Sequence, residues 1–516
     1  MADLLHDYIT GNPHLLSCYS ATPQSLLDTP PKAQTWPSEL VHEIRDYNAG
    51  LGYAKTFEGN EAVIITGQQP AIFGGPLYSV YKAVTTIRLA ETLTQRHSVP
   101  CVPLFWVGSE DHDLEEAASV WYLDKQHRSQ KITYRPEIGA EGLPLHKVPL
   151  EDSLRELIDE ISLQTRGSEF REEIRQALLD ALDAADSLAD WSTRLLAGLF
   201  RDTPLVFFSP HLPASRKLSQ PVFQQAIANP LECTHTINEA GAKMESMGYP
   251  PQVVKNDLEC AFFVDVDGTR NKVTFDNDRF HLPDNDTSFT PDELLNKLKA
   301  DPESFSPNVA LRVIVQQHLF PVAAYVAGPG ELAYWGQFKP LFECHNKPMP
   351  IVYPRSRAVL TTTKLNKLLK KQQLSISDLM QPEEQVLVQA MRTLTSNPAV
   401  AKICEQRPSL LEGLQKLEDD LTSLDPAAST MIAALQKDVV QKLDRVEKHL
   451  LRGDLDQNEA LQNQARRLIH SLAPNRKPQE RMFTIFTYLF EYGWGLLDQI
   501  MRELDAENFD VQEIEL

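Results

Sequence analysis

The sequence predicts an α/β protein: a parallel sheet with connecting insertions, carrying an α-helical coiled-coil arm. Three observations predict it. Short apolar runs at residues 62–66 and 102–107 flank a stretch in which Leu77, Val80, Val84 and Ile87 recur at helical spacing, the strand–helix–strand unit of a parallel sheet. Further short apolar runs at 205–208, 322–327 and 351–353 supply more buried strands. Past residue 360, Leu410, Leu414, Leu417, Leu421 and Leu424 alternate spacings of four and three, and Ile432, Leu435, Val439, Leu443, Val446 and Leu450 resume that seam.

In chain order, residues 1 to about 60 read as a helical, proline-punctuated lead-in to the first strand. Residues 150–200 are rich in helix formers. Residues 215–305 hold a helix and a hairpin: apolar residues 261–266, a turn at Asp267-Gly268, and a return over 272–275. After the strand at 322–327, a helix is expected from about Glu331 to Cys344. Pro426 interrupts the heptad seam, so two helices joined there, or near Asp454, fold back on each other or pair with another subunit; the pattern serves both ends. The tail from Gln479 to about Leu504, with Phe483, Phe486, Leu489, Phe490 and Leu497, reads as an apolar helix packing back on the main body. The expected division is a core over 1–365 with insertions at about 125–200 and 215–305, an arm over 366–470, and a C-terminal helix within 471–516.

A chain of 516 residues is too long for one compact core. Its net charge of -21 argues against a nucleic-acid partner, yet a local basic pocket for a small anion is compatible with it. No run approaches a membrane span, and residues 1–7 lack the basic-then-apolar order of a signal peptide. The six cysteines are scattered without a CxxC pair, as expected of free thiols in a reducing cytoplasm. Glu343-Cys344-His345 lacks a second half for a zinc site, so no metal site is expected there.

Three strand ends carry the candidate chemistry. The first runs Gly67-Gln68-Gln69 and on to Gly74-Gly75-Pro76, with Tyr78 and Lys82 on the helix that follows. Glycine lets backbone amides approach a ligand, proline suits the first helical position, and a helix start favours a phosphate or carboxylate. The loop is neither GxGxxG nor a P-loop, and a tight strand-to-helix turn accounts for it equally well. The second is Ser109-Glu110-Asp111-His112-Asp113. One reading is a helix cap by Ser109 or Asp111; the other gives His112 an acid–base or phosphate-contact role beside Asp113, with Asp111 or Asp113 holding an amine or Mg²⁺. The third is Gly328-Pro329-Gly330-Glu331, with Tyr334 beyond it, and Arg355 and Arg357 follow the next strand as a clamp for a carboxylate or phosphate.

The stretches TGQQPAIFGGPLYSVYKAVTTIRLA, PLFWVGSEDHDLEE, SPNVALRVIVQQHLFPVAAYVAGPGELAYW and QERMFTIFTYLFEYG resemble the bacillithiol biosynthesis cysteine-adding enzymes, the cysteine ligases called BshC, over about residues 60–360 and again near 470–500. The resemblance implies a Rossmann-like nucleotidyltransferase core and a coiled-coil arm that makes a homodimer. It implies addition of L-cysteine to the amine of glucosaminyl malate, with ATP (or ADP as bound product) and Mg²⁺ as cofactors and no zinc. Within that reaction, position at the strand ends, rather than a shared motif, assigns His112 and Asp113 to the reacting centre and the other strand-end residues named above to nucleotide or substrate. The related synthetases carry HIGH and KMSKS motifs; here Gly74-Gly75-Pro76 stands in the HIGH-like position and no KMSKS equivalent is present. A non-catalytic nucleotide-binding scaffold with a dimerisation arm, or a ligase for a different amino-sugar conjugate, are the alternatives.

Overall fold

The computed structural model describes residues 3–137, 139–140, 142–285, 287–392, 398–422 and 424–516, with backbone alone for 452–457. Contacts divide the chain into two compact units: Met1–Tyr122 with Lys131–Ala358 and Phe483–Gln512, and Leu123–Gln130 with Val359–Met482 and Glu513–Leu516.

The first unit is built on five parallel strands: β1 (Ala62–Gln68), β2 (Cys101–Val107), β3 (Val206–Phe208), β4 (Val322–Ala327) and β5 (Ile351–Pro354). Their spatial order is β5-β4-β1-β2-β3. Read from the other edge this is 3-2-1-4-5, the Rossmann order, whose direction of winding reverses between β1 and β4. Both of those strands are sealed in the sheet: Ile65 sits opposite Leu104 on one side and Tyr325 on the other. Strands buried on both faces need continuous apolar runs, which is why they were legible in the sequence.

Helix α1 (Leu77–His97) joins β1 to β2. Leu77, Val80, Val84 and Ile87 are buried as their spacing predicts, but so are Tyr81, Lys82, Thr85 and Thr86. The additional cover comes partly from the C-terminal segment of the same unit, where the Leu77 amide donates to the Phe483 carbonyl (2.8 Å) and the Thr484 hydroxyl to the Phe73 carbonyl (2.8 Å). That tail is not the single helix its apolar spacing suggested. It forms a 3₁₀ turn (Gln479–Arg481) and two short helices, Phe486–Tyr492 and Gly495–Glu503, parted at Gly493, whose φ is +67°. Phe483, Phe486, Leu489 and Phe490 are nonetheless buried.

The expected helix from Glu331 to Cys344 is likewise two, Pro329–Trp335 and Lys339–Cys344. Gly336 lies between them, where a Cβ would come within 2.9 Å of the Met244 side chain and the Tyr19 hydroxyl. The hairpin predicted at Asp267-Gly268 is present between Glu259–Val266 and Thr269–Asp276, and both turn residues have positive φ, as a two-residue hairpin loop requires. It belongs to a five-stranded antiparallel sheet completed by Arg279–Leu282, Thr287–Phe289 and Phe305–Pro307.

In the second unit, helices Pro398–Thr422 and Pro426–Gln457 pack on each other as a hairpin. The joint is at Pro426; the helix continues through position 454. The seam is half covered: Leu410, Leu417, Leu424, Leu435 and Val446 remain exposed.

The turn from β1 to α1 depends on backbone that only glycine adopts comfortably. Gly75 has φ +76° and ψ −169°, and a Cβ there would lie 3.3 Å from the Ser79 hydroxyl. Gly75→Ala is expected to destabilise the fold by about 1–3 kcal/mol, read as a lower urea midpoint with an unchanged slope.

Candidate active site

Because β1 and β4 are adjacent and parallel, the loops after them open on the same edge of the sheet. This edge at the switch point is where Rossmann-like sheets bind ligands. The structure brings Gly67, Gln68, Tyr78, Lys82, Gly328, Glu331, Tyr334 and Arg355 together there, and it adds Arg312 and Tyr325.

Lys82 is the centre of this cluster. Its ammonium donates to the Gly67 carbonyl (2.7 Å) and the Gln68 Oε1 (3.0 Å) and pairs with Glu331 Oε2 (2.5 Å). An ammonium has three hydrogens, and here all three are used. Glu331 is equally committed: it accepts from the Gly328 amide (2.7 Å) and the Tyr325 hydroxyl (2.7 Å). Burial opposes its charge, but Lys82 and these two donors outweigh that and hold the carboxyl below its ordinary range. The pair therefore clasps the end of β1 to the start of the helix after β4. Around it, Gln68 Nε2 donates to the Tyr78 hydroxyl (3.2 Å), Arg355 lies 5.8 Å from the Tyr78 ring centroid, and Arg312 lies 5.5 Å from that of Tyr325. Burial raises the Tyr334 hydroxyl's pKa, with Glu331 adding to the rise. Gly330 is open, with nothing near the position a Cβ would take.

The Gly74-Gly75-Pro76 turn is placed differently from its sequence reading. It is buried, and the Gly75, Leu77 and Ser79 amides bond to Ile72, Phe483 and Pro76 carbonyls within the chain. Its glycines shape a tight turn; those amides are not turned toward a ligand. Arg357 also stands apart, donating to the Phe509 carbonyl (2.9 Å).

At the end of β2 a second charged group gathers. Asp113, not Ser109 or Asp111, caps the helix Leu114–Ala117, accepting from the Glu116 amide (3.0 Å), while its carbonyl accepts from Gln69 Nε2 (3.0 Å). Asp111 accepts from the amides of His112 and Asp113. Buried Glu110 pairs with Arg216 (2.5 Å). His112 faces Arg270, whose guanidinium lies 3.7 Å from the Phe263 ring centroid and whose NH1 is 3.2 Å from His112 Nδ1. Guanidinium can only donate, so Nδ1 accepts and the neutral ring carries its hydrogen on Nε2. Burial, then the Arg270 charge, lower the His112 pKa below its usual value. At neutral pH this imidazole is a hydrogen-bond donor. Arg270→Gln is expected to move its pKa upward, visible as a shifted midpoint of the His112 ring-proton NMR titration.

Arg270, Arg312, Arg216 and Tyr325 were missed in the sequence. Arg270 follows the Asp267-Gly268 turn, and no local pattern marks it as reaching His112 at a strand end more than a hundred residues away; Arg312 sits on an apolar helix (Val309–Leu319) just before β4, where a lone arginine carries no signal. Among the described residues no group of three or more His, Cys, Asp or Glu is placed to hold a metal ion, and no helix is long and apolar enough to cross a membrane.

A sheet of Rossmann order with Lys82, Arg312 and Arg355 gathered at its switch point defines a Rossmann-like protein. Residues 1–356 match the family model described as the bacillithiol biosynthesis BshC N-terminal Rossmann-like domain, and residues 358–516 match the BshC C-terminal coiled-coil domain. The chain belongs to the bacillithiol biosynthesis BshC family. Similar proteins carry the name "Putative cysteine ligase BshC". That of Salinibacter ruber is 30% identical over 86% of this chain and 81% of its own length. That of Prosthecochloris aestuarii is 31% identical over 91% and 86%, and that of Symbiobacterium thermophilum 31% over 90% and 87%.

Proposed function

We propose that this chain is a ligase that adds L-cysteine to the amine of glucosaminyl malate, forming an amide in the last step of bacillithiol synthesis. Family membership over both domains supports the reaction class. The single structural observation that carries the reading is the clasp of Lys82 and Glu331 at the switch point, which ties the end of β1 to the start of the helix after β4 in the place where this sheet order binds ligands.

A free carboxylate is a poor electrophile at neutral pH, so the reaction needs activation, and bound ATP would supply it by converting the cysteine carboxylate into a better acyl donor. The donor set fits that group: two guanidinium groups stand near the switch point, Arg355 beside the Tyr78 ring and Arg312 beside that of Tyr325. Glu331 already accepts from Lys82, Gly328 and Tyr325, and its charge is matched by Lys82, so Mg²⁺ would be held mainly by the nucleotide's own phosphates. His112 would present Nε2–H to a developing negative oxygen, Arg270 fixing its tautomer. Asp113 would orient the His112 segment through its cap. The test is direct: purified protein with ATP, Mg²⁺, cysteine and glucosaminyl malate is expected to yield bacillithiol by mass spectrometry. A deletion strain with an undiminished bacillithiol content would overturn the assignment.

The exposed Leu410, Leu417, Leu435 and Val446 along the arm's seam support a homodimer in which a second copy covers them. Leu417→Glu with Leu435→Glu is expected to give a monomer by light scattering; an unchanged mass would remove the arm from the interface.

A further inference from the structure

A second group of polar side chains lies at the ends of β2 and β3, and the chemistry above makes no use of it. Ser109 follows β2 and Ser209 follows β3. Their hydroxyls are 2.7 Å apart, and both lie against His211 Nδ1, at 3.0 and 2.7 Å. The His146 ring stacks on that of His211, with centroids 4.6 Å apart and planes 9° from parallel. His146 Nδ1 lies 3.0 Å from the Ser109 carbonyl oxygen. A carbonyl only accepts, so Nδ1 carries the hydrogen and Nε2 of the neutral ring keeps its lone pair.

These groups border a cavity of about 300 Å³, a volume at the lower end of the range for small-molecule sites. Burial lowers the His146 pKa to about 4 and that of His211 to about 3, so both rings are neutral at physiological pH. The remaining charges on the lining are Asp186, Asp190 and Arg194; Asp190 and Arg194 pair at 2.9 Å, and Asp186 is an exposed carboxylate at the edge of the cavity. Behind the histidines, Arg216 and Lys147 are matched by Glu110 and Asp265. The cavity thus offers hydroxyls, a lone pair on imidazole and a carboxylate, a set that suits a hydroxylated cation better than an anion.

We propose that this cavity holds the amino-sugar end of the acceptor, a small polyol bearing a primary ammonium, with His146 Nε2 and Asp186 accepting hydrogen bonds from it. The inference rests on the ligase reading for the acceptor's identity but on the cavity alone for its binding chemistry. It also places the acceptor beside the switch point, along the same carboxyl edge of the sheet, since β2 neighbours β1.

The experiment titrates the full-length protein with D-glucosamine, taking D-glucose as the uncharged control, by NMR or calorimetry. Gly50 lines the cavity, and nothing lies within 4 Å of a Cβ built there, so Gly50→Phe sets a ring on the lining without breaking a side-chain contact. Glucosamine is expected to bind more tightly than glucose; His146→Ala is expected to weaken it about tenfold or more, the loss of one hydrogen bond to a charged group, and Gly50→Phe to weaken it by taking up space on the lining. In the ligation assay the same variants are expected to raise the KM for glucosaminyl malate and to leave that for ATP unchanged. Glucosamine binding that is absent in the wild type, or unaffected by both variants, overturns the proposal. If ligation proceeds and Gly50→Phe leaves the acceptor KM unchanged, the cavity inference falls and the ligase reading stands. If no ligation occurs but Gly50→Phe abolishes glucosamine binding, the cavity inference stands and the ligase reading falls.

Discussion

Lys82→Met is expected to cost the fold about 3–5 kcal/mol, because it strips Glu331 of its cation and leaves a largely buried carboxylate uncompensated. The ammonium also holds the Gly67 carbonyl and Gln68 Oε1, so the end of β1 loses its tether at the same stroke. The check is the urea midpoint against wild type. Glu331→Gln in the same background is the informative partner, since a neutral amide needs no counter-charge. The double variant is expected to recover part of the loss, giving a clear coupling energy in a double-mutant cycle. Ligation is expected to be lost in the single variant even where it remains folded, because the rim of the switch point is shaped by this pair. An unchanged midpoint would mean that the clasp holds nothing in place.

Glu447→Ala is the second large effect, and it falls on the arm. Glu447 is fully buried and sits between Arg392 and Arg407, with Asp444 2.8 Å from Arg407. Removing its carboxylate leaves two guanidinium groups facing one partly exposed aspartate, for an expected loss of about 3–5 kcal/mol. Because the arm has a core of its own, including Leu365, Leu379, Leu451, Leu461 and Leu468, the damage is expected to stay local. Hydrogen exchange read by mass spectrometry should quicken across Pro398–Thr422 and Pro426–Gln457 and leave β1, β2 and β4 protected. Equal acceleration in the central sheet would show that the two units unfold as one.

The strands were legible because their burial on both faces demands unbroken apolar runs, and the hairpin because Asp267-Gly268 is one of few pairs that accept positive φ twice. Lengths of helices were less legible. The stretch after β4 and the C-terminal tail both carry helical spacing, yet each is cut: the first ahead of Pro340, which cannot continue a helix from the preceding turn, and the second at Gly493, whose φ of +67° leaves the helical range. At the site, Gln68, Lys82 and Glu331 could be picked out from their positions at strand ends, but their chemistry could not. Lys82 reads as a candidate phosphate ligand until its three acceptors are seen. Gly74 and Gly75 read as an anion cradle until Phe483 and Thr484 are found against that turn.

By itself the sequence determined the parallel-sheet class, the order of its elements, the coiled-coil arm and the family, because each of these is written in local periodicity or in short contiguous motifs. Only the tertiary structure decided which charges meet. Arg270 and the stacked pair of His146 and His211 come to the strand ends from segments far apart in the chain. The physical reason is that an ion pair or a hydrogen bond depends on distance in space, and local pattern carries almost no information about distances closed by the fold.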